Sequence, residues 1–297
     1  MKKMLKIELK KAFFSKLFLA GLGILLLLSF LSGLYMIENW SEYNPNVINN
    51  SYKSDGEITI NPIIPVYTFF CAWLGGDALS LAGTIFFYLL PVGAALPYAW
   101  SYHTERKCGY IKNVITRTSR KNYYIAKSIA VFSTGVIVVF ISHIVNIFMV
   151  SAFIPCIKPW AGYNLYNLVY FGTLWSDLFF TKPILYTLLY VLLNSLYGGL
   201  FALLSFSISI YIKNIIPIIL FPFLILIVEG YLENMIYEKY YTNSILYYEL
   251  VPTYFLNSRN IHYMSIGWVI ALETVILFLI SILPILIAMR NDKNELN

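Results

Sequence analysis

Charged side chains are scarce in this chain. Only 12% of its 297 residues are Asp, Glu, Lys or Arg, whereas soluble domains carry about 25%. A soluble protein needs charge to solvate its outer surface, and here 59% of the residues are hydrophobic. The composition therefore argues against an ordinary soluble domain and predicts a membrane protein.

Cysteine and histidine are also few. The cysteines are Cys71, Cys108 and Cys156, and no CxxC pair is present. The three histidines lie far apart in the sequence, so no Cys/His spacing predicts a metal site. At most one disulfide is expected, and the sequence leaves open whether it joins Cys71 and Cys156.

The common catalytic motifs are missing as well. No GxxxxGK[ST] phosphate loop occurs in the chain, which predicts that it does not hydrolyse ATP by itself. No GxSxG, HExxH or protein-kinase motif set occurs either. We therefore expect a protein that is not an enzyme and that binds no cofactor or metal of its own.

Long apolar runs are what the sequence does contain. Roughly 20 helical residues cross the hydrocarbon core of a bilayer, and five runs reach that length. A sixth run, 215–228, is shorter and needs residues 229–232 to cross. The sequence thus predicts an all-α polytopic membrane protein, a single domain with six transmembrane helices at about 17–37, 79–100, 128–154, 184–212, 215–232 and 266–289.

Lysine and arginine lie mostly on one side of these six predicted spans. With six spans, both termini share a side with the loops 101–127 and 213–214, and that side holds 16 of the 21 basic residues. Because cytoplasmic loops carry an excess of Lys and Arg, we predict a multi-pass protein of the cytoplasmic membrane with both termini cytoplasmic.

Residues 1–16 have the pattern of an amphipathic helix. Four apolar residues can share one helical face with three lysines opposite, an arrangement typical of a helix lying on the inner leaflet. The alternative is a basic tail that only sets the topology. The residues concerned are Leu5, Leu9, Ala12 and Phe13 on the apolar face and Lys3, Lys6 and Lys10 on the other.

Four polar residues within the predicted spans are candidates for a translocation path: His143, Asn146, Asn194 and Glu273. Ionisable residues inside a membrane suggest a function by default. The alternative is that each one hydrogen-bonds a neighbouring helix, which is what polar side chains in membrane helices usually do.

The stretch 105–127 is basic and rich in tyrosine, and it separates the second and third predicted spans. Seven of its 23 residues are Lys or Arg. It contains a glutamate followed four residues later by glycine, a short apolar segment, a Ser-Arg turn, an aromatic residue and a lysine. These positions are Glu105, Gly109, 111–115, Ser119 and Arg120, Tyr123 and Lys127.

This order of residues resembles the cytoplasmic loop of ABC-2-type transporter permeases, the membrane subunits of bacterial ABC exporters. The resemblance extends to the basic N-terminal helix, the six spans and the long segment 231–265, which is similar to the short re-entrant helices that the family has between its last two spans. The resemblance implies a homodimer or heterodimer of permeases in the bilayer, no nucleic-acid partner, and a separate ABC ATPase subunit that holds ATP and Mg²⁺. It also implies export of an apolar or amphipathic substrate.

A loop that receives force from a motor needs a short, rigid helix that docks on it. Ile111, Val114 and Ile115 have the i, i+3, i+4 spacing of an apolar face suited to a groove of the partner. Gly109 would permit a bend before that helix. We expect Glu105 and the basic residues Arg106, Arg120 and Lys127 to pair with charges on the ATPase or with lipid headgroups.

Three alternatives stay open. The stretch 105–127 could be a solvated basic loop that only sets topology. The whole chain could be a membrane-embedded sensor or immunity protein that binds a membrane-active peptide without transporting it. An ion-coupled carrier is disfavoured, because apart from Glu229 in the extension of the fifth run the spans hold a single charged residue, Glu273, and no internal repeat is evident.

Overall fold

Helices make up nearly all of the regular structure. The structure, a computed structural model, describes residues 1–51, 68–77, 79–159, 169, 171–240, 248–258 and 264–290. Within these ranges there is no β-strand, only an isolated bridge between Tyr248 and Met264. The helices are α1 Lys2–Phe13, α2 Lys16–Ser51, α3 Phe69–Ala72, α4 Leu81–Ala95, α5 Ser101–Lys107, α6 Tyr110–Ile115, α7 Arg120–Phe153, α8 Ser176–Thr181, α9 Pro183–Ser209, α10 Ile215–Tyr240, α11 Pro252–Phe255 and α12 Gly267–Arg290.

Five of these helices are long and apolar enough to cross a membrane. They are α7, α9, α12, the part of α2 over Lys16–Glu42 and the part of α10 over Ile215–Lys239. The sixth apolar helix, α4, has 15 residues and rises only about 22 Å, less than the hydrocarbon core of about 30 Å. The all-helical fold is therefore confirmed, and among the described residues five helices have the length and apolar composition of membrane spans, one fewer than the six predicted.

Several helix ends differ from the prediction, because an apolar run marks the lipid-facing part of a helix and not its ends. The helix α2 continues past Glu38 to Ser51, and α7 begins at Arg120 instead of residue 128. The helix α10 continues through residues 229–240, so the fifth run gains the length that it lacked. The helix α4 ends at Ala95, and residues 96–100 form a turn before α5.

The centre of the bundle is α9. In its most apolar stretch 78% of the residues are buried, against 22–33% in the other four long helices. The helices α7, α4, α10 and α12 all pack against it. Pro183 begins the helix, a position where the missing N–H of proline costs nothing.

The helices α7 and α9 approach each other most closely at two glycines. A Cβ atom on Gly135 would lie 2.5 Å from the carbonyl oxygen of Gly198, and one on Gly198 would lie 2.6 Å from Cγ2 of Val139. Such contacts between small residues let backbones approach in membrane helix pairs. A larger side chain at either position would push α7 away from the central helix.

The segment around α11 is inserted into the protein. Phe255 and Leu256 are buried in the main apolar core. The backbone N–H of Ser258 donates to the carbonyl of Gly75 at 2.8 Å, and Tyr186 of α9 donates to the carbonyl of Ser258 at 2.9 Å. The predicted segment 231–265 is therefore part α10 and part a buried turn, while residues 241–247 and 259–263 lie outside the described residues.

Candidate functional site

The N-terminal helix α1 packs on the beginning of α7. Its most buried positions are Met4, Glu8 and Ala12, spaced by four residues. Leu5 and Leu9 are only half-buried at the edge of this stripe, so the predicted apolar face is rotated by part of a turn. The predicted lysine face (Lys3, Lys6 and Lys10) is exposed.

Four charged residues meet where α1, α5 and α7 come together, and we call them the ion cluster: Glu8, Lys11, Glu105 and Lys127. The ammonium of Lys127 lies 2.6 Å from Oε2 of Glu105 and 3.3 Å from Oε2 of Glu8. Lys11 lies 3.1 Å from Oε1 of Glu105 and 3.6 Å from Oε1 of Glu8. The side chains of Lys127 and Glu8 are fully buried, and that of Glu105 is 14% exposed.

Two carboxylates and two ammonium groups make the ion cluster electrically neutral. Burial alone would raise the pKa of the Glu105 carboxyl, but the ammonium of Lys127, hydrogen bonds from Lys127 and Tyr123 and the charge of Lys11 lower it below its ordinary value. Burial alone would lower the pKa of Lys11, but Tyr110 and the two carboxylates raise it. Glu105 and Lys11 are therefore both ionised at neutral pH.

Aromatic residues complete the surroundings of the buried lysine. Tyr98 donates to Oε2 of Glu8 at 2.8 Å and Tyr123 donates to Oε2 of Glu105 at 2.6 Å. The Lys127 ammonium lies 4.9 Å from the ring centroid of Tyr98 and 5.4 Å from that of Tyr123. Cation–π attraction of this kind adds to the ion pairs. Glu105 and Lys127, which the sequence assigned to a partner's charges or to lipid headgroups, bind each other instead.

The short helix α6 starts at a bend. Gly109 adopts the left-handed conformation with φ 71° and ψ 4°, which residues with a Cβ adopt only at a cost. The predicted bend before the helix is therefore confirmed. Beyond its two neighbours in the chain, no atom of the described residues lies within 4 Å of where a Cβ on Gly109 would stand.

The apolar face of α6 points into the protein and not outward. Ile111 is 2% exposed, Val114 is 9% exposed and Ile115 is partly buried, and all three pack in the core formed by α1, α7 and α9. The contact of this face with a groove of a partner stays a prediction, and within the chain itself α1 and α7 cover the face. The exposed face of α6 and the turn after it is polar and basic, with Lys112, Asn113, Thr116 and Arg117.

The remaining basic site residues also serve this local structure. Arg106 donates to the backbone carbonyl of Ile210 at 3.1 Å, just past the last residue of α9. A cation at a helix C-terminus is favourable because the last carbonyls carry partial negative charge. Arg120 is the first residue of α7, directly after the N-cap residue Ser119. Through Arg106, the 105–127 stretch is joined to the central helix.

The bend at Gly109 gives a test of this arrangement. We expect Gly109→Val to lower the thermal unfolding midpoint of the purified protein, since a left-handed β-branched residue costs about 1–3 kcal/mol. Gly109→Asn is the matched control and should stay close to the parent, because asparagine tolerates this conformation. Equal unfolding midpoints for the two variants would show that the bend does not require a residue at position 109 that tolerates the left-handed conformation.

Two of the translocation-path candidates lie on α7 and are held by the protein itself. Asn146 accepts from the backbone N–H of Leu74 at 2.8 Å and donates to the carbonyl of Ser29 in α2 at 2.8 Å. His143 is fully buried, and its Nδ1 lies 3.0 Å from the carbonyl of Val139. For Asn146, the interpretation as a hydrogen bond between neighbouring elements is confirmed.

The other two candidates lie elsewhere. Asn194 of α9 donates to the carbonyls of Tyr190 at 2.9 Å and Leu256 at 3.1 Å, and so anchors the segment around α11. Glu273 is partly buried on α12. Within the described residues no hydrogen bond or ring contact joins His143 or Asn146 to either of them, so the four candidates do not form one site.

Two buried acidic residues with several polar contacts, Glu8 and Asp77, were not predicted as site residues from the sequence. Glu8 had a signal, since it is the only acid before Glu38 and lies four residues from Met4 and Ala12 on one helical face. Asp77, two residues before the predicted second span, is 2% exposed. It accepts from Ser32 inside α2 at 2.6 Å and from the N–H groups of Leu79 and Ser80, and it thereby ties the start of α4 to α2.

The cysteines and the metal ligands can be described briefly. Cys71 is buried and Cys156 is exposed, and no disulfide joins them. In the ranges that the structure describes, no group of three or more His, Cys, Asp or Glu side chains is placed to hold a metal ion. Comparison of the chain with protein-family models, with curated proteins and with solved structures gives no match.

Proposed function

We propose that the chain is the permease subunit of an ATP-driven ABC exporter, which moves an apolar or amphipathic substrate with the help of a separate ATPase subunit. The observation that carries the proposal is the rigid connection of α6 to the membrane helices. The basic outer face of α6 is exposed, and its inner face packs against α1 and α7 through apolar contacts. The ion cluster fixes the preceding helix α5 to the same two helices through Glu105. A displacement of α6 would therefore move α7, the helix that packs on the central α9.

The proposal includes six spans and a defined orientation. The helix α4, with Pro91 in its interior and the turn 96–100 after it, would be the short sixth span. The helix α1 would lie at the cytoplasmic membrane surface with its exposed lysines toward anionic headgroups. The segment 248–258 would be the re-entrant element. Two permeases, identical or different, would work with two ATPase subunits that hold ATP and Mg²⁺.

In this arrangement ATP closure of the motor would move α6. Because packed helices shift between discrete arrangements, the motion would reach α9 through the close contact of Gly135 with Gly198. The chain's own contribution is mechanical: it docks the motor through α6 and holds that helix at a fixed angle to α7. The ATP chemistry belongs to the partner, since the chain has no phosphate loop.

The experiment that tests the function uses the native thiol beside α6. Cys108 is exposed next to Gly109, so a heterobifunctional cross-linker on Cys108 should capture an ATPase subunit in membranes of the source cell. The captured complex should hydrolyse ATP, and the chain purified alone should not. ATPase activity of the pure chain would contradict the proposal. A complex that binds a membrane-active peptide but holds no ATPase would favour the sensor alternative.

The orientation has its own prediction. An impermeant maleimide added to intact cells should label Cys156 and spare Cys108, and inverted membrane vesicles should give the opposite result. Because burial raises the pKa of the Cys156 thiol, the labelling is done at about pH 8, near the ordinary thiol pKa of about 8.5. Cys156→Ser and Cys108→Ser identify the two products. Ready labelling of Cys108 in intact cells would reverse the topology.

A further inference from the structure

A groove lies between α7 and α9 at the end of these helices that is remote from the ion cluster. Its volume is about 720 Å³, within the range of about 300–1,000 Å³ that is common for small-molecule sites. Its walls are apolar and include Phe70, Ile144, Ile147, Leu188 and Val191. Along α9 the groove wall extends from Pro183 to Val191, about 12 Å at 1.5 Å per residue.

The mouth of the groove is different in character. Lys158, shortly after α7, and Lys182, directly before α9, both line it and are both exposed. Within the described residues neither lysine takes part in an ion pair. Two ammonium groups that have no ion-pair partner among the described residues therefore border this apolar groove, close to where α7 ends and α9 begins.

The apolar walls and the two lysines together indicate which kind of molecule the groove would bind. The groove opens between side chains that are exposed on the outside of the bundle, such as Ile184 at 75% and Leu188 at 48%. In a bilayer this surface faces lipid tails, which match the apolar walls. The lysines then lie at the depth of the headgroups, where a negative charge is attracted by each ammonium group. A zwitterionic headgroup gains much less, because its own ammonium group offsets the attraction.

We propose that this groove is a binding site for one anionic phospholipid, with an acyl chain between α7 and α9 and the phosphate between Lys158 and Lys182. The site does not depend on the proposed transport function, since it is separate from α6 and the ion cluster. The exported substrate and a second copy of the chain are the other possible occupants, and the test distinguishes them.

Cys156 lines the groove and reports on its occupancy. The protein is prepared as Cys108→Ser and placed in nanodiscs of phosphatidylcholine alone or with phosphatidylglycerol added. Cys71 does not interfere, because burial raises its pKa to about 11. We expect phosphatidylglycerol to slow alkylation of Cys156 by a neutral maleimide on the order of tenfold, the selectivity that two lysines near a lipid surface provide.

The variants separate this site from a general effect of a charged bilayer. Lys158→Gln with Lys182→Gln should remove most of the difference between the two lipids, while the exposed Lys213→Gln should keep it. Leu188→Trp should fill the groove and make Cys156 insensitive to lipid. Native mass spectrometry of the parent should retain one phosphatidylglycerol and lose it in the double lysine variant.

Several results would overturn the proposal. One is equal protection of Cys156 by the two lipids, and another is a lipid difference that survives in the double lysine variant. Protection that depends on protein concentration instead of lipid would assign the groove to a second copy. Protection only by an added amphipathic substrate would assign it to the transport path.

Discussion

Lys127→Met is expected to destabilise the protein by about 3–5 kcal/mol, the usual cost of removing one partner from a buried ion pair. The substitution keeps the length of the side chain but leaves Glu8 fully buried and Glu105 nearly so, without the ammonium that lies 2.6 Å from Glu105. The expected result is a large fall in the thermal unfolding midpoint of the detergent-solubilised protein. It is measured by loss of the monodisperse gel-filtration peak on heating.

The matched control is Lys121→Met on the same helix. Lys121 is exposed, and surface substitutions usually change stability by less than about 0.5 kcal/mol. Adding Glu8→Gln to Lys127→Met removes one carboxylate and one ammonium group, so the cluster stays neutral and Lys11 still pairs with Glu105. This double variant should recover much of the loss, because no uncompensated charge is then buried. If Lys127→Met unfolds at the same temperature as Lys121→Met, the ion cluster does not hold α1 and α5 on α7.

The second large effect is expected on the outer face of α6. Lys112→Glu with Arg117→Glu reverses two exposed charges and leaves the packed residues Ile111 and Val114 untouched. If α6 docks on an acidic surface of an ATPase, like charges would then face each other at a cost of several kcal/mol. We expect binding of the ATPase to weaken at least about tenfold and ATP hydrolysis by the complex to lose its response to substrate.

The control for this double variant is Lys16→Glu with Lys213→Glu. Both lysines are exposed and neither belongs to α6, so the net charge changes equally without a change in the proposed docking face. The unfolding midpoint should be unchanged for both double variants, which separates docking from folding. Normal assembly and transport by the Lys112→Glu, Arg117→Glu variant would show that the outer face of α6 does not dock on an ATPase.

The sequence predicted the helices well, and their ends less well. A charge-free run measures the lipid-facing length of a helix, so it missed the first eight residues of α7, where Arg120 and Lys121 are helical but outside the apolar part. It overestimated α4, because residues 96–100 are apolar and still form a turn. A hydropathy count cannot distinguish polar residues that continue a helix from polar residues of a loop. It also cannot distinguish an apolar turn from an apolar helix.

In the candidate site, too, the sequence predicted some features of single residues and not others. The bend at Gly109 could be predicted, since a glycine before a short helix suggests it. The orientation of α6 could not, because an i, i+3, i+4 apolar face is equally suited to a partner and to the chain's own core. The pairing of Glu8 with Lys127 spans 119 residues, and nothing local in either segment specifies it.

That separation has a consequence for the biosynthesis of the protein. Glu8 leaves the ribosome long before its partner, and at about 5–20 residues per second the interval is at least about 6 s. During this time α1 has no buried site to occupy, since the walls of that site are Tyr98, Glu105 and α7. The helix α1 is therefore made well before the residues that bury it, and it can dock only after Tyr98, Glu105 and the first part of α7 have been made.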